Sequence, residues 1–249
     1  MKTNHQVGLL AACIGSAVLG FPQAHAILFS DGFEDTALDP FWSTMQQSGS
    51  IVVPSTAKPH TGGQSAQFNT TSTGVQKEVR LIHTFPTLQE GELSVWVWDV
   101  GADLARSNYL WLETSDSAAA DRRMHIYAAN YDQPFLGGGM TYEYYVAPLH
   151  GYSLVDRTAS WHEFRILGRP GEQKLWVDGV LVYSGTGDGT FDTVQIGMQG
   201  AGYDQAMTAY FDDFQISTTP VPEPRLYGLL AGLSLAGFAV LRRFRTQRV

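Results

Sequence analysis

Across residues 27–219 apolar side chains recur with a period of two, and no long stretch shows the 3.6-residue period of a helix, so this part of the chain must fold as β-sheet. The sharpest case is Lys174-Leu-Trp-Val-Asp178-Gly179-Val-Leu-Val-Tyr183. Two β-rich runs flank an Asp-Gly pair, the pairing that a two-residue type I′ turn demands, because both of its central positions need positive φ. Val75 to Phe85 alternates in the same way. Val75, Lys77, Val79, Leu81, His83 and Phe85 fall on a core-facing side, with Gln76, Glu78, Arg80, Ile82 and Thr84 on a wet one. Glu92 to Val100 differs, because Val95 and Val97 face one way and Trp96 and Trp98 the other, so both of its faces are expected to be covered. Further strands are predicted at Ile27–Phe33, Ser65–Asn69, Tyr109–Glu113, Arg123–Ala128, Thr141–Val146, His162–Leu167, Val194–Met198 and Ala209–Ser217, separated by Gly, Pro, Asn and Asp. Short strands at this spacing predict a sandwich of two sheets.

The ends of the chain carry a different pattern. After Lys2, residues 7–20 are uncharged and mostly apolar, and Ala24-His25-Ala26 places small residues where a signal peptidase cuts, so residues 1–26 read as a signal peptide. The alternative, lipid attachment at Cys13, fits less well, because the apolar run continues to Leu19. At the C-terminus, Pro222-Glu223-Pro224 precedes an uncharged apolar stretch at 226–241, and Arg242, Arg243, Arg245 and Arg248 follow it. As a helix that stretch would reach about 24 Å, against a hydrocarbon core of about 30 Å. The arginines would hold its far end in the cytoplasm and leave the rest of the chain outside.

Proline-glutamate-proline, a short apolar helix and a terminal arginine cluster together resemble the PEP-CTERM tail. The resemblance covers residues 220–249. It implies sorting by an exosortase, transient anchoring in the inner membrane, and a final place at the cell surface or in the exopolysaccharide matrix of a Gram-negative bacterium. On this reading Pro222, Glu223, Pro224, Arg242, Arg243 and Arg245 are the sorting signal.

Residues 27–219 then form one domain, long enough for a substantial core. Of the 24 acidic residues only Glu223 lies outside it, whereas Lys2 and five C-terminal arginines of the 16 basic residues do, leaving a body charge of about −13. Such a body excludes nucleic acid as a partner. The only cysteine, Cys13, leaves with the signal peptide, so the mature domain has no disulfide and no thiolate chemistry.

Four segments of the body resemble concanavalin A-like and laminin-G-like jelly rolls and the carbohydrate-binding modules that share their architecture. They are Ser30-Asp-Gly-Phe-Glu-Asp35 with Phe41-Trp42, His60-Thr-Gly-Gly-Gln-Ser-Ala66, Trp161 to Ile166 with Leu175 to Leu181, and Tyr210-Phe-Asp-Asp-Phe-Gln-Ile216. The resemblance implies a jelly-roll β-sandwich and a role in binding extracellular polysaccharide. It also implies a structural calcium ion joining the first and last strands through Glu34 and Asp212 or Asp213, with Asp31 beside them; turn and capping roles are the alternative for these carboxylates.

For catalysis the body lacks the Glu-x-Asp-x-x-Glu strand of the retaining glycosidases on this fold. Lys77 to Arg80, Leu81 to His83 and Tyr127 to Gln133 match parts of alginate-lyase strands, without the Gln that should precede the His. His83, His125 and His162 read as packed histidines. The expectation is therefore a non-catalytic binding or structural domain, with a polysaccharide lyase or glycoside hydrolase on the same fold as the alternative. Asn130, Asp132 and Gln133 beside Tyr142, Tyr144, Tyr145 and Tyr152 are the candidate glycan contacts, since sugar rings stack on aromatic faces and amides or carboxylates take the hydroxyls.

Overall fold

A computed structural model describes residues 26–47, 49–71, 77–100, 108–128, 141–200 and 206–218. The signal peptide, the 226–241 stretch, the sorting residues from Pro222 to Arg245, and Asn130, Asp132 and Gln133 all lie outside the described residues.

Among the described residues there are fifteen strands and no helix. They are β1 (Ala26–Asp31), β2 (Ser43–Gln46), β3 (Ile51–Ser55), β4 (Ser65–Thr70), β5 (Lys77–Gln89), β6 (Gly91–Trp98), β7 (Asn108–Asp116), β8 (Ala119–Ala128), β9 (Thr141–Val146), β10 (Leu149–Asp156), β11 (Trp161–Arg169), β12 (Glu172–Val177), β13 (Val180–Gly185), β14 (Phe191–Gly200) and β15 (Met207–Thr218). Two antiparallel sheets result. One runs β13-β12-β11-β6-β15-β4-β3 with β1 also paired to β15, and the other runs β10-β9-β8-β7-β14-β5-β2. Consecutive hairpin strands run together as β11 to β13, β3 to β4 and β7 to β10, and strands far apart in sequence, β6 with β11 and β15 and β14 with β5 and β7, meet in the middle, as jelly-roll winding requires.

The two sheets bury one core between them. From the first come Phe68, Leu93, Val95, Val97, Phe164, Ile166, Leu175, Phe211, Phe214 and Ile216, and from the second Val79, Leu81, Leu110, Leu112, Met124, Ile126, Val194, Ile196 and Met198. The alternation read in Val75 to Phe85 holds at Val79 and Leu81, which are fully buried. The Asp-Gly hairpin forms between β12 and β13, with φ of 51° at Asp178 and 74° at Gly179. Trp96 and Trp98 stand on the outer face of the first sheet. A returning segment covers them: the His60 ring stacks on Trp96 at 4.0 Å and Lys58 Nζ sits 3.7 Å from the Trp98 ring centre. Strands β2, β3 and β10 were not foreseen. Their apolar residues face outward or alternate too weakly to register, and pairing with β5, β4 and β9 makes them strands.

Two packed histidines meet the sequence expectation. His83 stacks on Phe41 at 3.7 Å and shares a hydrogen bond with its carbonyl, and His162 is 4 % exposed.

Candidate functional site

Because side chains alternate across a strand, every second residue of the second sheet faces away from the core. Antiparallel register then lines those residues up in rows across the sheet. One row runs Arg80, Gly197, Trp111, Tyr127, Glu143, Tyr152 through β5, β14, β7, β8, β9 and β10. The adjacent row runs Ile82, Gln195, Glu113, His125, Tyr145, His150 through the same strands. These rows make a cleft of about 470 Å³ lined by Glu78, Arg80, Trp111, Glu113, Arg123, His125, Tyr127, Tyr145, His150 and Gln199. Its size falls within the range of small-molecule and sugar sites.

The floor holds buried charge. Glu113 is 3 % and Glu143 4 % exposed, which is tolerable only where partners compensate. Glu113 pairs with Arg123 and accepts a hydrogen bond from Gln195, whose own carbonyl oxygen accepts from Arg80 at 2.9 Å. Burial nevertheless raises the pKa of Glu113, against the pull of Arg123. Arg80 also donates from Nε to Glu78 at 2.6 Å. Glu143 belongs to a second group: Tyr127 donates to its Oε2 at 3.1 Å, and His150 Nε2 lies 2.8 Å from the same oxygen and 2.7 Å from the Tyr127 hydroxyl.

His125 sits between the groups, its Nδ1 3.5 Å from Glu113 Oε2 and its ring 4.6 Å from that of Tyr127. Burial pushes its pKa well below the ordinary histidine value, and the Arg123 and Arg80 charges push the same way, so the imidazole is neutral at pH 7. Its Nε2 is buried and has no hydrogen-bond partner among the described residues. A neutral imidazole, a phenol bonded to a second imidazole, and two guanidiniums make a cleft able to hold polar sugars and to move protons.

Of the candidate glycan contacts among the described residues, only Tyr145 lines this cleft, with the Arg123 guanidinium 6.0 Å from its ring centre. Tyr142 is a correction, being fully buried between the sheets, where its hydroxyl donates to Asp99 at 3.0 Å. Tyr144 also faces inward, packed on Tyr183. Both share the inward parity of β9, whereas Glu143 and Tyr145 face out. His125 is a second correction, since it faces the cleft rather than the core. Sequence reasoning did not single out Trp111, Glu113, Arg123, Gln195 or His150. For the first four the signal was available, because each lies at an outward position of an alternating strand, whereas His150 lies on β10, whose alternation is too weak to read, and only the register shows that the positions converge.

Of the four candidate metal carboxylates, Glu34, Asp212 and Asp213 hold the turn at 60–64 and Asp31 bonds elsewhere, and the oxygens of all four accept hydrogen bonds. Asp31 accepts from Phe33 N and Trp42 Nε1, and Glu34 accepts from Gly63 N and Gln64 N. Asp212 accepts from His60 N and Thr61 N, while Asp213 bonds His60 Nδ1 and Thr61 Oγ1. Among the described residues no group of three His, Cys, Asp or Glu side chains stands at metal-holding spacing.

Fold and cleft together define an all-β jelly-roll-like sandwich of two antiparallel sheets with a polar, aromatic cleft on the outer face of one sheet. Solved structures share that fold. The chain is 13 % identical to the endo-β-1,4-glucuronan lyase of the fungus Trichoderma reesei, with 78 % of this chain and 96 % of that one covered at a TM-score of 0.53. It is 17 % identical to the cellulose-induced protein Cip1, covering 76 % and 96 % at 0.51. It is 12 % identical to the catalytic domain of a Thermotoga petrophila endo-1,3-β-glucanase, covering 80 % and 100 % at 0.53. No protein-family model matches the chain, and no curated protein matches it.

Proposed function

We propose that residues 27–219 are a carbohydrate-binding domain of an exported protein, holding an extracellular polysaccharide in the cleft on the outer face of the seven-stranded sheet. One observation carries this reading: Trp111, Tyr127 and Tyr145 share a single open cleft with Arg80, Arg123, His125 and Gln199, the mixture of flat rings and polar groups that sugars require. That the solved relatives include a lyase and a glucanase supports a carbohydrate as the ligand. Export rests on the N-terminal signal, and sorting by an exosortase to the surface or matrix rests on the Pro222-Glu223-Pro224 tail. A calcium ion at Glu34, Asp212 and Asp213 belongs to this reading, bound through the carboxylate lone pairs that the bonds from His60, Thr61, Gly63 and Gln64 leave over.

A second reading, β-elimination in a uronate polymer, is favoured by the Tyr127–His150–Glu143 group beside neutral His125. There a base in the cleft takes the proton next to the carboxylate, the glycosidic C–O bond breaks, and a C=C bond forms as the released oxygen gains a proton. Affinity electrophoresis of the 27–219 fragment in neutral and acidic polysaccharide gels, with an ultraviolet assay for unsaturated ends, separates the two. Retardation without new chain ends supports the binder. Unsaturated products establish the lyase, and neither signal overturns both.

A further inference from the structure

Trp111 is 4 % exposed, yet it is not part of the core between the sheets. It faces outward, in the cleft. An outward tryptophan in the middle of a sheet ordinarily stands up from the pleat and fills the space above it. Here it lies down instead, and the strand beside it is what allows this.

Gly197 pairs with Trp111 on one side and with Arg80 on the other. A Cβ built at Gly197 would collide with Trp111 Cζ2, would stand 2.7 Å from Cε2, and would stand 3.0 Å from the Val79 carbonyl oxygen. Carbon atoms in contact need about 3.5–4.0 Å. The indole therefore occupies the volume of the missing side chain, and the Val79 carbonyl oxygen, a backbone atom, is a further tight contact for a Cβ there. The Arg80 guanidinium carbon lies 5.5 Å from the indole ring centre, toward the end of the row at which Arg80 bonds Gln195 and Glu78.

We propose that Gly197 is a specificity-determining residue of the cleft: by letting Trp111 lie across β14, it sets the depth of the floor and so decides what can enter. A side chain at this position lifts the indole into the cleft, by roughly 1 Å or more for one Cβ if contact distances are restored, and makes the floor too shallow for a chain that fits the native site. Gly197 is a positioning residue, acting on the ligand only through Trp111. The use of the cleft by a polysaccharide rests on the function proposed above, but the seating of Trp111 does not, and the test treats them separately.

The full chain, with 5-fluorotryptophan at its six Trp positions, is compared as wild type, Gly197→Ala, Trp111→Phe and Trp111→Ala, and Gly197→Ala with Trp111→Ala. Trp111→Phe assigns the fluorine resonance of Trp111. The expected result is that Gly197→Ala moves that resonance and leaves the other tryptophans in place. Gly197→Ala should also lower stability less in the Trp111→Ala background than in the wild type, since the colliding ring is gone. An unmoved Trp111 resonance, or a Gly197→Ala cost that is the same in both backgrounds, overturns the seat. Should Gly197→Ala alone fail to fold, recovery of folding in the double variant supports the seat and continued failure overturns it. For a polysaccharide that retards the wild type, Gly197→Ala should weaken retardation at least tenfold with the rest of the sheet intact, and equal binding overturns the claim on specificity. If no polysaccharide retards the wild type, the function proposed above fails, and the resonance and stability data still decide the seat.

Discussion

At the scale of single residues, the cleft is a balance of buried charges that only neighbours make affordable. Trp111→Ala and Tyr145→Ala remove the aromatic surfaces. Each should weaken polysaccharide retardation by about tenfold or more, as truncation of a buried aromatic contact usually does, with little change in unfolding temperature for the half-exposed Tyr145. His162 offers a different test. Burial pulls its pKa down, but the hydrogen bond from its Nδ1 to Asp178 Oδ2 at 2.7 Å and the Asp178 charge outweigh that, leaving it above the ordinary histidine value, while the pKa of Asp178 is lowered. A raised folded pKa means that the imidazolium stabilises the fold fully below the ordinary histidine pKa and loses that contribution as pH rises through the folded value. Thermal unfolding from pH 6 to 9 should therefore show a decline in wild type that His162→Gln lacks. Parallel curves for the two proteins would contradict the assignment.

At the scale of elements, the β12–β13 hairpin isolates the cost of a turn. A Cβ at Gly179 would meet nothing within 4 Å, so Gly179→Ala tests backbone conformation alone. With φ at 74°, the variant should lose about 1 kcal/mol, read from the denaturant midpoint at unchanged slope. The connection from β6 to the strands around it depends on a buried ion pair. Arg157 donates from Nε to Asp99 Oδ2 at 2.8 Å and from a terminal nitrogen to Oδ1 at 2.9 Å, and Tyr142 donates to Oδ2. Both ends of that pair are almost fully buried. Asp99→Ala strands a buried guanidinium and should cost about 3–5 kcal/mol, whereas Tyr142→Phe removes one hydrogen bond to a charged acceptor and should cost about 1–2 kcal/mol. Equal effects of the two substitutions, measured by denaturant unfolding, would show that the ion pair is not the centre of the group.

At the scale of the whole molecule, the sandwich uses its two outer faces differently. The eight-stranded sheet is covered over Trp96 and Trp98 by Lys58 and His60, while the seven-stranded sheet leaves its polar and aromatic rows open as a cleft. The body's charge of about −13 adds a condition on what enters. At low salt an acidic polymer should be retarded less than a neutral one of similar length, and added salt should narrow the gap by screening the repulsion. If acidic polymers bind better at low salt, the local Arg80 and Arg123 charges dominate the net charge. Export and sorting are checked separately. Mass spectrometry of the extracellular form should begin at Ile27 and lack peptides beyond Arg225.

Period-two alternation and the Asp-Gly pair were enough by themselves to determine the β-strand character of the described body, the Asp178-Gly179 hairpin and that Val79 and Leu81 share one face of β5, because these follow from local pleat geometry and turn conformation. Parity within β9 was equally local, and it separates Tyr142 and Tyr144 from Tyr145. Choosing which parity faces the core required the opposing sheet. Register decided the rest. Trp111, Glu113, His125, Tyr145 and His150 come from four strands spread over about forty residues, with Gln195 and Gly197 some forty-five further on, and no local pattern states which residue of one strand stands opposite which of another. The strands must first be paired across the sheet, where long-range burial offsets the entropy of closing the intervening loops. The buried carboxylates, the neutral imidazole and the indole seated on a glycine exist only once those rows have formed.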